Sequence, residues 1–229
     1  MQQGTELVIL SGILTTILSI AMSAFLGRKW YNQEVRLSTD LPLVFAISGV
    51  CQALNSLILT LPVIGLVEPS LELFRLRSLA IGGAIVPIAG AILQIWMPSY
   101  QKYHTRIVFL ITLYWFSIAL LGVSEAIIMI LTIPVLLTIS IIMMITFIIT
   151  WKTGRLKEIR SDLIVVSALF MMASQVLRVP FMSTPFFYIP DVLIGAAMIC
   201  MGVGIANPWY SRETRRIQQE ESPYVVSNY

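Results

Sequence analysis

The chain has 229 residues, of which 57% are hydrophobic and 12% are charged, and its formal net charge is +3 at pH 7. Soluble domains carry about 25% charged residues, so this composition excludes a water-exposed globular domain and makes lipid the solvent for much of the surface. The positive charge does not indicate nucleic-acid binding, because the basic residues form short clusters between apolar runs, as membrane topology requires. We therefore expect an all-α integral membrane protein embedded in a lipid bilayer.

Seven apolar runs follow one another, and each is close to or above the ~20 residues that a membrane-spanning helix needs. The fourth run is the shortest, and only GVSEA at 122–126 separates it from the fifth, which leaves a six-helix count open. Transmembrane strands are not expected, since they would alternate polar and apolar residues over short segments. We predict one seven-helix domain over 1–210 and a short polar tail over 211–229. The runs cover 5–26, 41–66, 71–97, 105–122, 125–150, 162–183 and 187–208.

The distribution of basic residues predicts the orientation of the chain. The leader MQQGTE contains no Lys or Arg, unlike a cleavable signal peptide. Twelve of the 15 basic residues follow spans one, three, five and seven, so the N-terminus is expected outside and the C-terminus inside, in a multi-pass protein of the cell membrane. An interfacial aromatic belt is also expected at the inner ends of spans. Its members are Trp30, Trp96, Trp151 and Trp209.

Two parts of the sequence resemble each other. EVRLSTDL at 34–41 precedes span two and EIRSDL at 158–163 precedes span six, and the motifs QALN at 52–55 and QVLR at 175–178 follow them. These matches predict a parallel duplication of about 5–100 and 124–210, joined by a linker helix at about 105–122. The alternative is that Ser and Asp merely cap the N-termini of two helices.

A layout of three, one and three spans is shared by parallel-repeat sugar facilitators and by seven-helix rhodopsins. The Pro-Gln dipeptide of the facilitators does not occur in this chain, and the last span has no lysine for a retinal Schiff base. Neither family is assigned, because a shared layout alone does not establish function.

Few residues could support cofactor or redox chemistry. His104, expected in an inner loop, is the only histidine, and Cys51 and Cys200 lie inside spans, where a thiol usually packs as a small apolar group. This set does not suit a zinc, copper or bis-histidine haem site. No pair of carboxylates lies near the bilayer middle, which argues against ion-coupled pumping. We predict neither a cofactor nor an enzymatic activity.

Three basic residues break the orientation rule, because Arg75, Arg77 and Arg178 map to the outer ends of spans. If the helix of span three includes 68–77, Glu68, Glu72 and Arg75 lie within about 60° of one another, and Arg77 points the opposite way. Glu72 and Arg75 are then expected to pair at the i,i+3 spacing.

Arg178 has a different expected partner. Asp191, about five residues into span seven, lies at a matching depth on an adjacent antiparallel span, and pairing the two relieves two costly intramembrane charges. Glu125, at the head of span five, is a further acidic candidate. Snorkelling with structural ion pairs and an outward-facing pocket both remain open as interpretations of these charges.

Neutral polar side chains near the middle of the spans complete the predicted site. They could hold the bundle together by hydrogen bonds or line a pocket, and a ladder of Ser and Thr on span one leaves packing and pore lining similarly open. The leading hypothesis is binding, with facilitated passage as a further option, of a small polar or anionic solute. The alternative is a seven-helix sensor or an accessory subunit without flux, and a homo-oligomer or a membrane partner is compatible with both. The predicted ligand residues are Arg77, Arg178, Asp191, Gln175, Gln52, Asn55, Tyr114 and Trp115, with Glu72, Arg75 and Glu125 at the rim.

Overall fold

The computed structural model describes residues 3–33, 36–37, 40–154, 156, 159–181, 184 and 186–209. Within these ranges the chain forms seven α-helices and a short 3₁₀ turn, and each helix is long and apolar enough to cross a membrane. The prediction of an all-α protein with seven potential spans is confirmed. The helices are α1 (Gln3–Tyr31), α2 (Leu41–Ile64), α3 (Leu71–Trp96), α4 (Gln101–Leu121), α5 (Glu125–Thr153), α6 (Ser161–Phe181) and α7 (Ile189–Ala206).

Serine caps fix the start of two helices whose first turns carry charges. The Ser70 hydroxyl accepts a hydrogen bond from the Leu73 amide (3.2 Å) at the start of α3, and Ser124 accepts one from Ile127 (3.4 Å) at the start of α5. Such caps satisfy amides that have no partner inside the helix. The break before Ser124 separates α4 from α5 and removes the six-helix alternative.

Several predicted boundaries need correction. Glu68 precedes the cap of α3, so it does not share a helical face with Glu72. His104 lies in the first turn of α4 rather than in a loop, buried with its Nε2 atom 2.9 Å from the Met97 carbonyl oxygen. The shortest helix is α7, with 18 residues, rather than α4. The physical reason is that polar turns at the membrane interface can stay helical, although an apolar window does not include them.

Six of the described helices form a ring in chain order, and α4 lies outside it. Each helix packs against the next and α7 packs against α1, while a direct contact between α3 and α5 closes the ring without α4. Contacts between α2 and α7 cross the interior. We call the two ends of the bundle the tryptophan end, near Trp30, Trp96, Trp151 and Trp209, and the arginine end, near Arg75, Arg77 and Arg178.

The apolar core lies mainly in the half of the bundle nearer the tryptophan end. The Phe45 and Phe147 rings meet there with their centroids 6.3 Å apart, linking α2 to α5. Toward the arginine end the interior is more polar. The core residues are Leu26, Phe45, Ala46, Phe147, Ile164, Val165, Ile194, Met198, Met201 and Ile205.

The Ser and Thr ladder of α1 is a packing face. All four side chains are buried, and their small size lets α1 pack closely against α2 and α7. A methyl group added at Gly49 would overlap the Ser23 hydroxyl, and one added at Gly12 would overlap Thr60. The ladder consists of Ser11, Thr15, Ser19 and Ser23.

Candidate functional site

An ion pair joins α6 to α7 at the arginine end. The Arg178 Nη2 atom donates to Asp191 Oδ1 at 2.6 Å, and the two side chains are only 17% and 13% exposed. Arg178 lies in the last turn of α6 and Asp191 in the first turn of α7, where each charge interacts favourably with its helix dipole. The predicted pair is confirmed, although Asp191 is the third residue of its helix and therefore lies nearer the helix end than predicted.

Helix α1 adds a third element to this contact. The Ser11 hydroxyl lies 3.5 Å from Asp191 Oδ2, and Thr15 Oγ1 donates to the Asp191 carbonyl oxygen at 2.9 Å. Both side chains are buried members of the α1 ladder. Asp191 is therefore the residue through which α1, α6 and α7 meet. The sequence suggested packing for Ser11 and Thr15, but it gave no signal that they contact this carboxylate.

Arg77 has a neutral partner. Its Nε atom donates to Asn55 Oδ1 on α2 at 3.1 Å, and its guanidinium carbon lies 5.8 Å from the centre of the Phe74 ring. Asn55 is 5% exposed, so the amide is held by its surroundings. Among the described residues, no carboxylate forms an ion pair with Arg77. A half-buried guanidinium is thus left without a neutralising group in direct contact.

Arg77 and Arg178 lie on α3 and α6, two helices that make no backbone contact within the described ranges. Arg77 is within electrostatic range of two charges, since Arg178 repels its guanidinium and Glu125 attracts it. Glu125 is exposed at the head of α5, whereas the side chain of Asp191 is only 13% exposed, so Asp191 is the more buried of these two carboxylates.

Arg178 is also incompletely satisfied. Its Nε atom is buried, and no described residue accepts a hydrogen bond from it. A buried donor left without an acceptor costs about 1–3 kcal/mol. Asp191 contacts Arg178 through one oxygen and one nitrogen, whereas a carboxylate can bind a guanidinium through two parallel hydrogen bonds.

Arg75 lies at the periphery of the bundle. Its Nη1 atom donates to Glu72 Oε1 at 2.6 Å, as predicted, and its Nη2 atom donates to the Gly122 carbonyl oxygen at 2.9 Å. Glu72 is 76% exposed, so the ion pair itself lies at the surface. The contact with Gly122 ties α3 to the end of α4. Arg75 thus faces α4, while Arg77 faces α2.

Two of the predicted lining residues use their donors in contacts between helices. Trp115 is 1% exposed and donates from its indole nitrogen to the Ser78 carbonyl oxygen at 2.8 Å, and Tyr114 donates to the Leu131 carbonyl oxygen at 3.0 Å. These bonds connect α4 with α3 and with α5. Neither side chain forms a hydrogen bond with the charged side chains at the described arginine end.

The two glutamines form no hydrogen bond with a charged side chain in the part of the chain that the structure describes. Gln52 donates to Ser56 within α2 at 3.3 Å, and the side chain of Gln175 is exposed on α6. Gln175 precedes Arg178 by three residues, so it lies on the same side of the helix. The candidate site consists of two hydrogen-bonded groups at the arginine end, Asn55 with Arg77 and Arg178 with Asp191 and Ser11. We call these five residues the polar cluster.

Comparison of the chain with protein-family models, with curated proteins and with solved structures finds no match. The function is therefore inferred from the geometry of the polar cluster.

Proposed function

We propose that this chain is a non-enzymatic multi-pass membrane protein that binds a small polar or anionic solute at the polar cluster and facilitates its passage. The observation that carries the proposal is Arg77, a half-buried guanidinium whose described partners are neutral. Ionisable residues within membrane helices are costly and usually mark a substrate pathway. A solute that brings negative charge or hydrogen-bond acceptors to Arg77 would offset that cost.

The proposed orientation follows from charge asymmetry. The positive-inside rule directs the tryptophan end to the cytoplasm, so the polar cluster opens to the outside of the cell membrane. An outward-facing site would take its solute from the external medium.

We also propose that the domain arose by duplication. The contacts support this, since the pairs α1–α2, α2–α3 and α1–α7 correspond to α5–α6, α6–α7 and α3–α5 when α4 is set aside. Asn55 and Arg178 occupy equivalent positions, and each bonds to the helix that follows it, through Arg77 and Asp191 respectively. On the alignment of 81–92 with 194–205, Arg77 is offset from Asp191 by one residue.

The alternative is a seven-helix sensor or an accessory subunit without flux. It is favoured by Arg75 and Arg178, whose contacts with Gly122 and Asp191 connect helices and could serve assembly alone. A partner that co-purifies in fixed stoichiometry, together with no flux, would support this alternative.

Solute flux in reconstituted vesicles tests the proposal. Vesicles containing the full chain should take up labelled small anions faster than protein-free vesicles, and Arg77→Gln should abolish the difference. Arg106→Gln is the matched control, because Arg106 is an exposed arginine near the tryptophan end. The proposal fails if neither binding nor flux of any small anion or polyol is detected, or if both arginine variants reduce it equally.

A further inference from the structure

The ion pair between Arg178 and Asp191 combines burial with incomplete bonding. One oxygen of Asp191 contacts one nitrogen of Arg178 at 2.6 Å. Among the described side chains, the other oxygen has a single contact, at 3.5 Å, with the Ser11 hydroxyl, which also donates to the Val8 carbonyl oxygen at 3.0 Å. The buried Nε atom of Arg178 has no acceptor among the described residues. Arg178 therefore holds a carboxylate without using its capacity for two parallel hydrogen bonds.

We propose that Asp191 is an internal competitor for the solute, and that the solute is a small monocarboxylate which takes its place at Arg178. This inference rests on the proposed function and adds the ligand class and the exchange. The incoming carboxylate binds Arg178 through Nε and Nη2. Asp191 then retains Ser11 and the N-terminus of α7.

Charge and shape both favour a monocarboxylate. It carries the same single negative charge as the Asp191 side chain that it replaces at Arg178. A planar carboxylate matches the fork of a guanidinium, and the contact between Arg178 and Asp191 already shows that this position accepts one. The exchange breaks one ion pair and forms another, and the displaced Asp191 carboxylate is stabilised by Ser11 and by the dipole of the α7 N-terminus.

Binding of acetate to the purified full chain in a non-ionic maltoside detergent tests the exchange. Dissociation constants are obtained from the shift of thermal unfolding with acetate concentration, with chloride at equal ionic strength as the reference. Asp191→Asn should tighten acetate binding by about tenfold or more, which corresponds to at least about 1.4 kcal/mol. Ser11→Ala should also tighten acetate binding, by a smaller factor, because it removes the contact with the second oxygen of Asp191.

The matched control is Glu72→Gln, which removes the carboxylate of an exposed ion pair at the same end and should leave the acetate affinity unchanged. If Asp191→Asn does not fold, Ser11→Ala alone decides, since an unchanged or weaker affinity in that variant contradicts the exchange. Weaker acetate binding in Asp191→Asn, with binding still lost in Arg77→Gln, overturns the exchange and leaves the proposed function standing.

Phosphate is the other anion that arginines commonly bind. If inorganic phosphate or added phospholipid stabilises the wild-type chain through Arg77 and acetate does not, the carboxylate assignment is overturned. If acetate retains its effect in phospholipid nanodiscs, a lipid phosphate does not occupy the site and the assignment is supported.

Discussion

Arg178 and Asp191 connect the last turn of α6 to the first turn of α7 through a 2.6 Å ion pair that is largely shielded from the surroundings of the protein. Ser11 of α1 approaches the same carboxylate, so three helices depend on one charge. The same side chains therefore contribute both to the stability of the arginine end and to the chemistry of the polar cluster.

Removing the charge of Asp191 should destabilise the protein more than removing that of Glu72. Breaking a buried ion pair typically costs about 3–5 kcal/mol, because the remaining charge stays buried. The pair of Glu72 with Arg75 is exposed on the Glu72 side, and an exposed pair contributes at most about 1 kcal/mol. Free energies of unfolding in mixed micelles for Asp191→Asn and Glu72→Gln provide the comparison. Equal losses would contradict the burial of the pair.

Replacing both partners separates structure from function. The double variant Arg178→Leu with Asp191→Leu should recover most of the stability lost in Asp191→Asn, because no unpaired buried charge remains. If the pair belongs to a solute site, flux and acetate binding should be lost in this variant, because the Arg178 guanidinium is no longer present. Full activity in the stable double variant would assign the pair a structural role only.

Two glycines offer a test of helix packing. A methyl group at Gly82 would overlap the buried indole of Trp115, which cannot move without losing its bond to Ser78, so Gly82→Ala should cost about 1–3 kcal/mol. A methyl group at Gly202 meets the flexible end of Met22, which can adopt another rotamer. Gly202→Ala should therefore change the unfolding free energy by less than about 1 kcal/mol. If Gly202→Ala lowered the unfolding free energy more than Gly82→Ala, the packing of Trp115 against Gly82 would not be the more rigid of the two contacts.

Lys29 caps the end of α7 from α1. Its ammonium group donates to the carbonyl oxygens of Ile205 (2.6 Å) and Ala206 (2.9 Å), which have no partners inside the helix. Lys29→Met should lower the unfolding free energy by about 2 kcal/mol, since hydrogen bonds to charged groups contribute about 1.5–3 kcal/mol. Lys152→Met, which removes an exposed lysine near the same end, should have almost no effect and serves as the control.

The orientation of the chain is tested with terminal tags. A tag before Met1 should be accessible to antibody or protease on intact cells, and one after Tyr229 should be protected until the membrane is permeabilised. The expectation follows from the positive-inside rule applied to seven spans. Detection of both tags on one side would contradict this topology.

The class and number of the helices could be predicted because apolar runs and the caps at Ser70 and Ser124 are local signals. The pairing of Arg178 with Asp191 was also predictable, since adjacent antiparallel helices bring the end of one beside the start of the next. The bond between Asn55 and Arg77 was not predicted, because it depends on how α2 and α3 rotate about their axes.

The packing of Trp115 was missed for a related reason. Its depth resembles that of pocket-lining residues, and only the absence of a side chain at the facing Gly82 makes room for the indole. Which polar residues lie together depends on the rotation of each helix about its axis and on such gaps. A hydropathy pattern contains no information about either.

The lengths of the helices relate the protein to the thickness of its bilayer. Helix α5 carries no charge over 126–151, a length of about 39 Å, whereas a hydrocarbon core is about 30 Å thick. Helix α7, half of whose span is buried, has 18 residues and is about 27 Å long. Helix α5 must therefore tilt by about 40°, or stretch the lipid around it, while α7 fits without adjustment. Since Glu125 is the first residue of α5, a thicker or thinner bilayer would move this charge relative to the arginines at the same end of the bundle.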